Sequence, residues 1–288
     1  MSRGVVLLAL NHKYYGNYCA QLAASIKFMD KDMSITLLHD VKGIAHLNEQ
    51  RLRLFDNLIE VPEHCYMNKG RKDYLKVKTH VYALSPYDET IFIDADVLWL
   101  PRKSVTELFD SLSEVDFTMS NRGHVALDKA KNGFITWCNP EEIKANYDID
   151  GDLYNLSSEF MYFKKKKEVG KLFKQAQKNY ETLKVHYVLF GNDIPDELPF
   201  SIAMIQTGVY PHKTPFLPFY WEAFHKQNLK PADMYSSFYA CSFGGCISTT
   251  NVKRFYDNLA QFYCTKLGLG KYFPLLSKRT FLPERANI

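Results

Sequence analysis

The sequence predicts an α/β fold, a mixed and mostly parallel sheet flanked by helices within a single domain. Three observations carry this expectation. Short apolar runs rich in branched residues occur at 5–10, 34–40 and 90–100, and such runs read as buried strands. Stretches whose apolar residues fall at helical spacing lie between them. The chain is 288 residues long and 46% hydrophobic, which is enough to build a substantial core. Strands that alternate with helices imply a parallel sheet covered on both faces, with ligands at the carboxyl ends of its strands.

The elements follow in order. Val5–Leu10 opens the sheet, a tyrosine-rich turn follows, and "CAQLAASIKFM" puts Ala, Leu and Ile on one helical face. "SITLLHD" closes a β-α-β unit. A helix is expected over "IAHLNEQRLRLFDNL", a short strand at "IEVP", and a helix over "YLKVKTHVYALS" leading into "TIFIDADVLWL". "SVTELFDSL" reads as a capped helix and "DFTMSN" as a strand, and residues 121–156 read as loops and short helices. "SSEFMYF" is a strand and "KEVGKLFKQAQKNYETL" an amphipathic helix. "PDELPFSIAMIQTG" begins with an Asp able to cap a helix and ends with a glycine able to close one. The last third, rich in aromatics, Pro and Gly, resists assignment.

Bulk properties narrow the function. The formal charge of +4, from 36 basic and 32 acidic residues, is too mild to mark a nucleic-acid binder, although it suits an anionic ligand. Six cysteines without a CxxC pair point to reduced thiols, hence a cytoplasmic setting. The N-terminal apolar run Gly4–Leu10 is too short for a signal peptide or a membrane span, so no transmembrane segment is expected.

Chemistry concentrates in the paired acids. Four D-x-D matches occur: Asp30/Asp32, Asp94/Asp96, Asp148/Asp150 and Asp150/Asp152. Only Asp94/Asp96 directly follows an apolar strand, where residues two apart point to one side. Two carboxylates without thiolates favour a hard cation, Mn²⁺ or Mg²⁺; a capped strand end is the plainer reading. "DIDGDLYNLSSE" imitates a calcium loop but has Leu153 at the sixth place, with Gly151 two residues too early. A solvated acidic loop is expected there.

With these residues in view, the chain resembles the GT-A-fold glycosyltransferases, Rossmann-like enzymes that use nucleotide sugars, in particular the glycogenin and lipopolysaccharide galactosyltransferase type. The likeness covers roughly residues 4–120 well. It rests on "LALNHKYYGNYCAQLAASIK", on "VKTHVYALSPYDETIFIDADVLWL", and on the "ELFD" that follows. The resemblance implies sugar transfer from a nucleoside diphosphate donor, a UDP-sugar, to a hydroxyl acceptor, with retention at the anomeric carbon. That acceptor is a glycan, a protein or a modified nucleic acid, and a homodimer is allowed. Donor-binding positions would be Asn11, Tyr15, Asp40, Lys78 and Ala95, with Tyr14 and Tyr18 beside Tyr15 as a base platform and Asp94/Asp96 holding the metal. Residues 1–120 then form the nucleotide-sugar half, 121–250 the acceptor half, and 251–288 a C-terminal helix and basic, aromatic tail.

Downstream the match is patchy. Ser157, Ser158 and Glu159 stand where the family has Asn-Ser-Gly. "IPDEL" resembles its Asp-Gln or Asp-Glu helix start, making Asp196, Glu197 and Lys78 the implied catalytic groups, with helix capping the alternative for Asp196. The family's closing His-x-x-Gly-x-x-Lys is absent: Cys241 or Ser242 takes the histidine's place and Ser248 the lysine's, leaving His212 or His225 to supply a third ligand. A non-catalytic sugar- or nucleic-acid-binding module is the competing reading, prompted by the lysine run 164–167.

Overall fold

The structure is a computed structural model, and it describes residues 1–129, 138–185, 194–214, 216–221, 235–243 and 250–274. The strands are β1 (Arg3–Ala9), β2 (Ser34–His39), β3 (Asn57–Glu60), β4 (Met67–Asn68), β5 (Arg71–Lys72), β6 (Glu89–Ile93), β7 (Val97–Trp99), β8 (Phe117–Ala126), β9 (Asp152–Lys164), β10 (Phe219–Trp221) and β11 (Ala240–Ser242). The helices are α1 (Lys13–Met29), α2 (Val41–Ile44), α3 (Glu49–Leu52), α4 (Val81–Leu84), α5 (Val105–Ser111), α6 (Pro140–Tyr147), α7 (Lys167–Glu181), α8 (Glu197–Thr207) and α9 (Thr250–Lys266). Six strands form the main sheet in the order β3-β2-β1-β6-β9-β8. β1, β2 and β3 run parallel, while β8 and β9 pair antiparallel. The α/β expectation therefore holds.

The chain divides into two compact units that interleave in sequence. One comprises Gly4–Glu60, Ile93–Leu112 and Pro218–Ile288. Its β1 is almost fully buried, as the unbroken apolar run requires. α1 buries eleven consecutive residues from Gly16 to Ile26, so it is a core helix rather than an amphipathic surface one. Ser25 Oγ accepts the Trp99 amide at 2.9 Å, and Tyr263 of α9 donates to the Trp99 carbonyl at 2.6 Å, so the buried backbone of β7 is satisfied by side chains. β7 pairs antiparallel with β11, and β11 pairs parallel with β10. α5 starts with a full capping box between Ser104 and Glu107.

The other unit comprises Met1–Arg3, Val61–Phe92 and Ser113–Leu217. Its core gathers Phe117, Phe163 and Phe200 in edge-to-face contacts around Phe173 of α7. The β4–β5 hairpin turns through Lys69 (φ 49°) and Gly70 (φ 80°), consecutive left-handed residues of the kind that match strand twist.

Several expectations need correction. Of the helix foreseen over 44–58 only the end of α2 at Ile44 and the single turn α3 are helical, because Asp40 and Asn48 each cap a short separate start with their side chains, and 57–58 already belong to β3. The helix foreseen over 74–85 is mostly 3₁₀, Tyr74–His80, with α4 only at its end. The single strand foreseen over 90–100 breaks into β6 and β7 around a turn at 94–96. Residues 121–156 are less irregular than expected, since β8 runs on to Ala126, α6 occupies 140–147 and β9 starts at Asp152.

Candidate active site

The first cluster lies at the carboxyl ends of β1 and β2. Asn11 adopts a left-handed conformation (φ 67°) just past β1, which turns the chain sharply before α1. Its amide donates to Asp40 Oδ2 at 2.9 Å, and the Gly43 amide donates to Asp40 Oδ1 at 2.6 Å. Asp40 thus ties two loops together and caps α2, with its carboxylate half-open. The backbones here nearly touch: a Cβ on Gly43 would lie 1.8 Å from the Ala9 carbonyl oxygen, and one on Gly16 would lie 2.2 Å from the Gly43 carbonyl oxygen. Only glycine permits this approach. An open depression of about 280 Å³ beside it is lined by Asn11, His12, Lys13, Lys42, Ala45 and His46. Sequence reading missed both glycines, although a glycine four residues into a helix is an unusual choice and thus a signal.

Tyr15 sits half-buried in the first turn of α1, its amide donating to the His12 carbonyl at 3.0 Å. Tyr14 packs against Phe273, with ring centroids 4.9 Å apart. Tyr18 cannot join a base platform: it is 2% exposed and set edge-on to Tyr256, so it belongs to the core.

In the same unit Asp94 and Asp96 flank the buried Ala95 in the turn after β6. Strand alternation is not what aligns them, since β6 ends at Ile93. Both carboxylates are half-open, and both act on the thiol of Cys19, which donates to the Leu8 carbonyl. Burial first, then Asp94 and more weakly Asp96, push that thiol well above its ordinary range, so it stays protonated. The groups offered outward are therefore oxygens and not a thiolate, a donor set that fits Mg²⁺ or Mn²⁺. The Phe243 amide donates to the Asp96 carbonyl at 2.8 Å, and Ser242 and Cys241 of β11 lie opposite Val97 and Leu98 of β7. The segment carrying Cys241 and Ser242 thus runs directly beside the aspartate turn, and both residues are buried. Ser248 and His225 fall outside the described residues. The three rival D-x-D pairs have local duties. Asp30 accepts from the start of α5, Asp148 closes α6 in a left-handed conformation, Asp150 pairs with Lys144 and Asp152 with His124.

The second cluster belongs to the other unit. Lys78, 5% exposed, donates to Ser158 Oγ at 2.9 Å and lies 3.9 Å from Asp196 Oδ1. Ser158 in turn donates to Glu197 Oε1 at 3.3 Å. Asp196 stands at the N-cap of α8, yet its side chain makes no capping bond and its φ and ψ (−69°, −21°) are helical. It faces the ammonium instead. Lys78, Asp196 and Glu197 thus lie close together, with Ser158 linking Lys78 to Glu197. Asp196 is 2% exposed whereas Glu197 is half-open. His212 of this unit packs on Phe216, ring centroids 4.9 Å apart.

Solved structures that share this architecture are glycosyltransferases. The bifunctional glycosyltransferase WbbM in its apo form superposes with a TM-score of 0.57 at 15% identity over 94% of this chain and 52% of its own, so the chain spans about half of that protein. The galactosyltransferase LgtC, solved with donor and acceptor sugar analogs, gives 0.55 at 14% identity, over 89% of this chain and 95% of its own. Mouse xyloside xylosyltransferase 1 gives 0.51 at 9% identity, over 86% of this chain and 99% of its own. The chain has the GT-A fold. No family model and no curated protein sequence matches it. Among the described residues no helix is long and apolar enough to cross a membrane.

Proposed function

We propose that this GT-A chain is a glycosyltransferase that moves a hexosyl or pentosyl group from a nucleoside diphosphate, a UDP-sugar, to a hydroxyl acceptor with retention of configuration. The observation that carries the reading is the Asp94-Ala95-Asp96 turn, two half-open carboxylates whose charge helps keep the Cys19 thiol neutral. Asp94 and Asp96 would hold Mn²⁺ or Mg²⁺, which when bound neutralises charge developing on a departing diphosphate. Asn11 and Asp40 present polar atoms for the nucleoside, and Tyr15 offers a ring for its base. The lysine and histidine lining of the depression beside Asn11 suits an anionic ligand. Lys78 supplies a fixed positive charge for the sugar or phosphate. Asp196 holds that ammonium in place, and half-open Glu197 accepts a hydrogen bond from a sugar or acceptor hydroxyl.

The lysine run that prompted a nucleic-acid reading has local partners. Lys164 and Lys166 reach Asp116, at 3.9 and 2.8 Å, and Lys165 lies over the Tyr82 ring, 4.6 Å from its centroid. A solvated strand-to-helix junction accounts for it.

The test is donor hydrolysis and transfer over a panel of nucleotide sugars with and without Mn²⁺. Turnover that needs the metal and falls about 100-fold in Asp94→Asn/Asp96→Asn is expected. Absence of both nucleotide binding and turnover, or an unaffected double variant, would remove the proposal.

A further inference from the structure

In the unit that carries Lys78, away from the aspartate turn in sequence, a second set of metal-ligand side chains comes together. His64 and Cys65 lie on the 3₁₀ turn Glu63–Cys65, and His80 ends the 3₁₀ segment Tyr74–His80. One ligand atom from each lies within 4.8 Å of the others, and among the described residues this is the one such group of three or more. Cys65 Sγ is 3.5 Å from His64 Nε2. A tetrahedral zinc with ordinary bonds of about 2.3 Å to sulfur and about 2.0 Å to nitrogen sets those two atoms about 3.5 Å apart. His80 Nε2 is buried with no hydrogen-bond partner among the described residues, a condition that calls for an explanation.

We propose that His64, Cys65 and His80 form a site for a borderline-soft divalent cation, zinc, with water as fourth ligand. The donor set of two imidazoles and one thiolate selects zinc and not the hard ion suited to Asp94 and Asp96. The surroundings agree. Lys76 is neutralised by Glu181 at 2.9 Å and anchored to the His64 and Met67 carbonyls, so it does not leave a bare positive charge against the ion. His64 is exposed, which gives the metal a way in and lets the ring swing to close the site. On binding, Cys65 releases its proton to solvent and no electron transfer is involved. The ion would clip residue 64 to residue 80 across the β4–β5 hairpin and so brace the 3₁₀ segment that carries Lys78.

The probe is Co²⁺ added to the chelator-treated 288-residue chain carrying Asp94→Asn/Asp96→Asn, which removes the acidic site from the titration. One equivalent should produce a thiolate-to-cobalt charge-transfer band with intense tetrahedral d–d bands, and Zn²⁺ should abolish both. Cys65→Ser and His80→Gln should lose the spectrum. His64→Gln, at an exposed position that folding tolerates, removes a direct ligand and should weaken binding by at least about 100-fold, more than losing an outer partner costs. A folded protein without the charge-transfer band, a band that survives Cys65→Ser, or an unchanged affinity in His64→Gln each overturns the site.

Discussion

The two clusters of candidate functional residues hold their charges in opposite ways. Around β1, β2 and β7 the carboxylates are half-open and are positioned by backbone: two amides grip Asp40, and a turn held by the Phe243 amide just past β11 carries Asp94 and Asp96. In the unit of α7 and α8 the charges are sunk among side chains, with Lys78 and Asp196 at 5% and 2% exposure and a serine between Lys78 and Glu197. An ion pair held that way has lost its water and depends on its partner, whereas a carboxylate clamped by amides at a rim keeps a face for a ligand. The first arrangement should tolerate charge removal and lose ligand; the second should lose stability.

The largest expected effect tests the buried side. Lys78→Met should lower unfolding free energy by about 3–5 kcal/mol, because the Asp196 carboxylate is left without its buried cation. Adding Asp196→Asn should recover a good part of that loss, read from urea midpoints; a neutral single variant would break the contrast. On the other side, Gly43→Ala drives a methyl into the Ala9 carbonyl, and should cost about 3 kcal/mol as an overpacked site with a rigid neighbour. A stable Gly43→Ala protein would show that the backbone clamp is loose. Next comes Asp94→Asn/Asp96→Asn, expected to lower kcat/KM by about 100-fold, equivalent to about 2.7 kcal/mol, while Tm moves by no more than about 2 °C. A large fall in Tm would put those acids with the buried kind. The smallest effect is foreseen for Asp40→Ala, about 1–2 kcal/mol from a lost cap and two orphaned amides, with nucleotide affinity falling alongside. Equilibrium dialysis with a labelled nucleotide would separate the two losses.

Cys19 adds a check from solution pH. Its folded-state pKa is raised, so above the ordinary thiol range the unfolded chain ionises first and stability falls as pH rises, with nothing lost below that range.

Much of this was legible in residue order. Periodicity located β1, α1, β2 and α7, since each is a long or strongly patterned element whose burial follows from its own side chains, and α8 was bracketed by its end residues, of which Gly208 does close it. It failed at 44–58, where Asp40 and Asn48 compete for the backbone, and at 74–80, where a helical pattern closes as 3₁₀. For the site, context after an apolar strand separated Asp94/Asp96 from three other pairs. Nothing local announced Ser158, Gly43 or the His64–Cys65–His80 group, because their roles are defined by residues far away in the chain.

The order of amino acids determined the layered α/β frame and which acid pair stands at a strand end, because hydrophobic period and turn chemistry act between near neighbours. Only the folded chain decided that Asp196 turns from its helix to Lys78, that Gly16 and Gly43 let two backbones meet, and that Cys19 feels the charge of the aspartates. Such outcomes depend on contacts between distant segments, which carry free energies larger than any local preference.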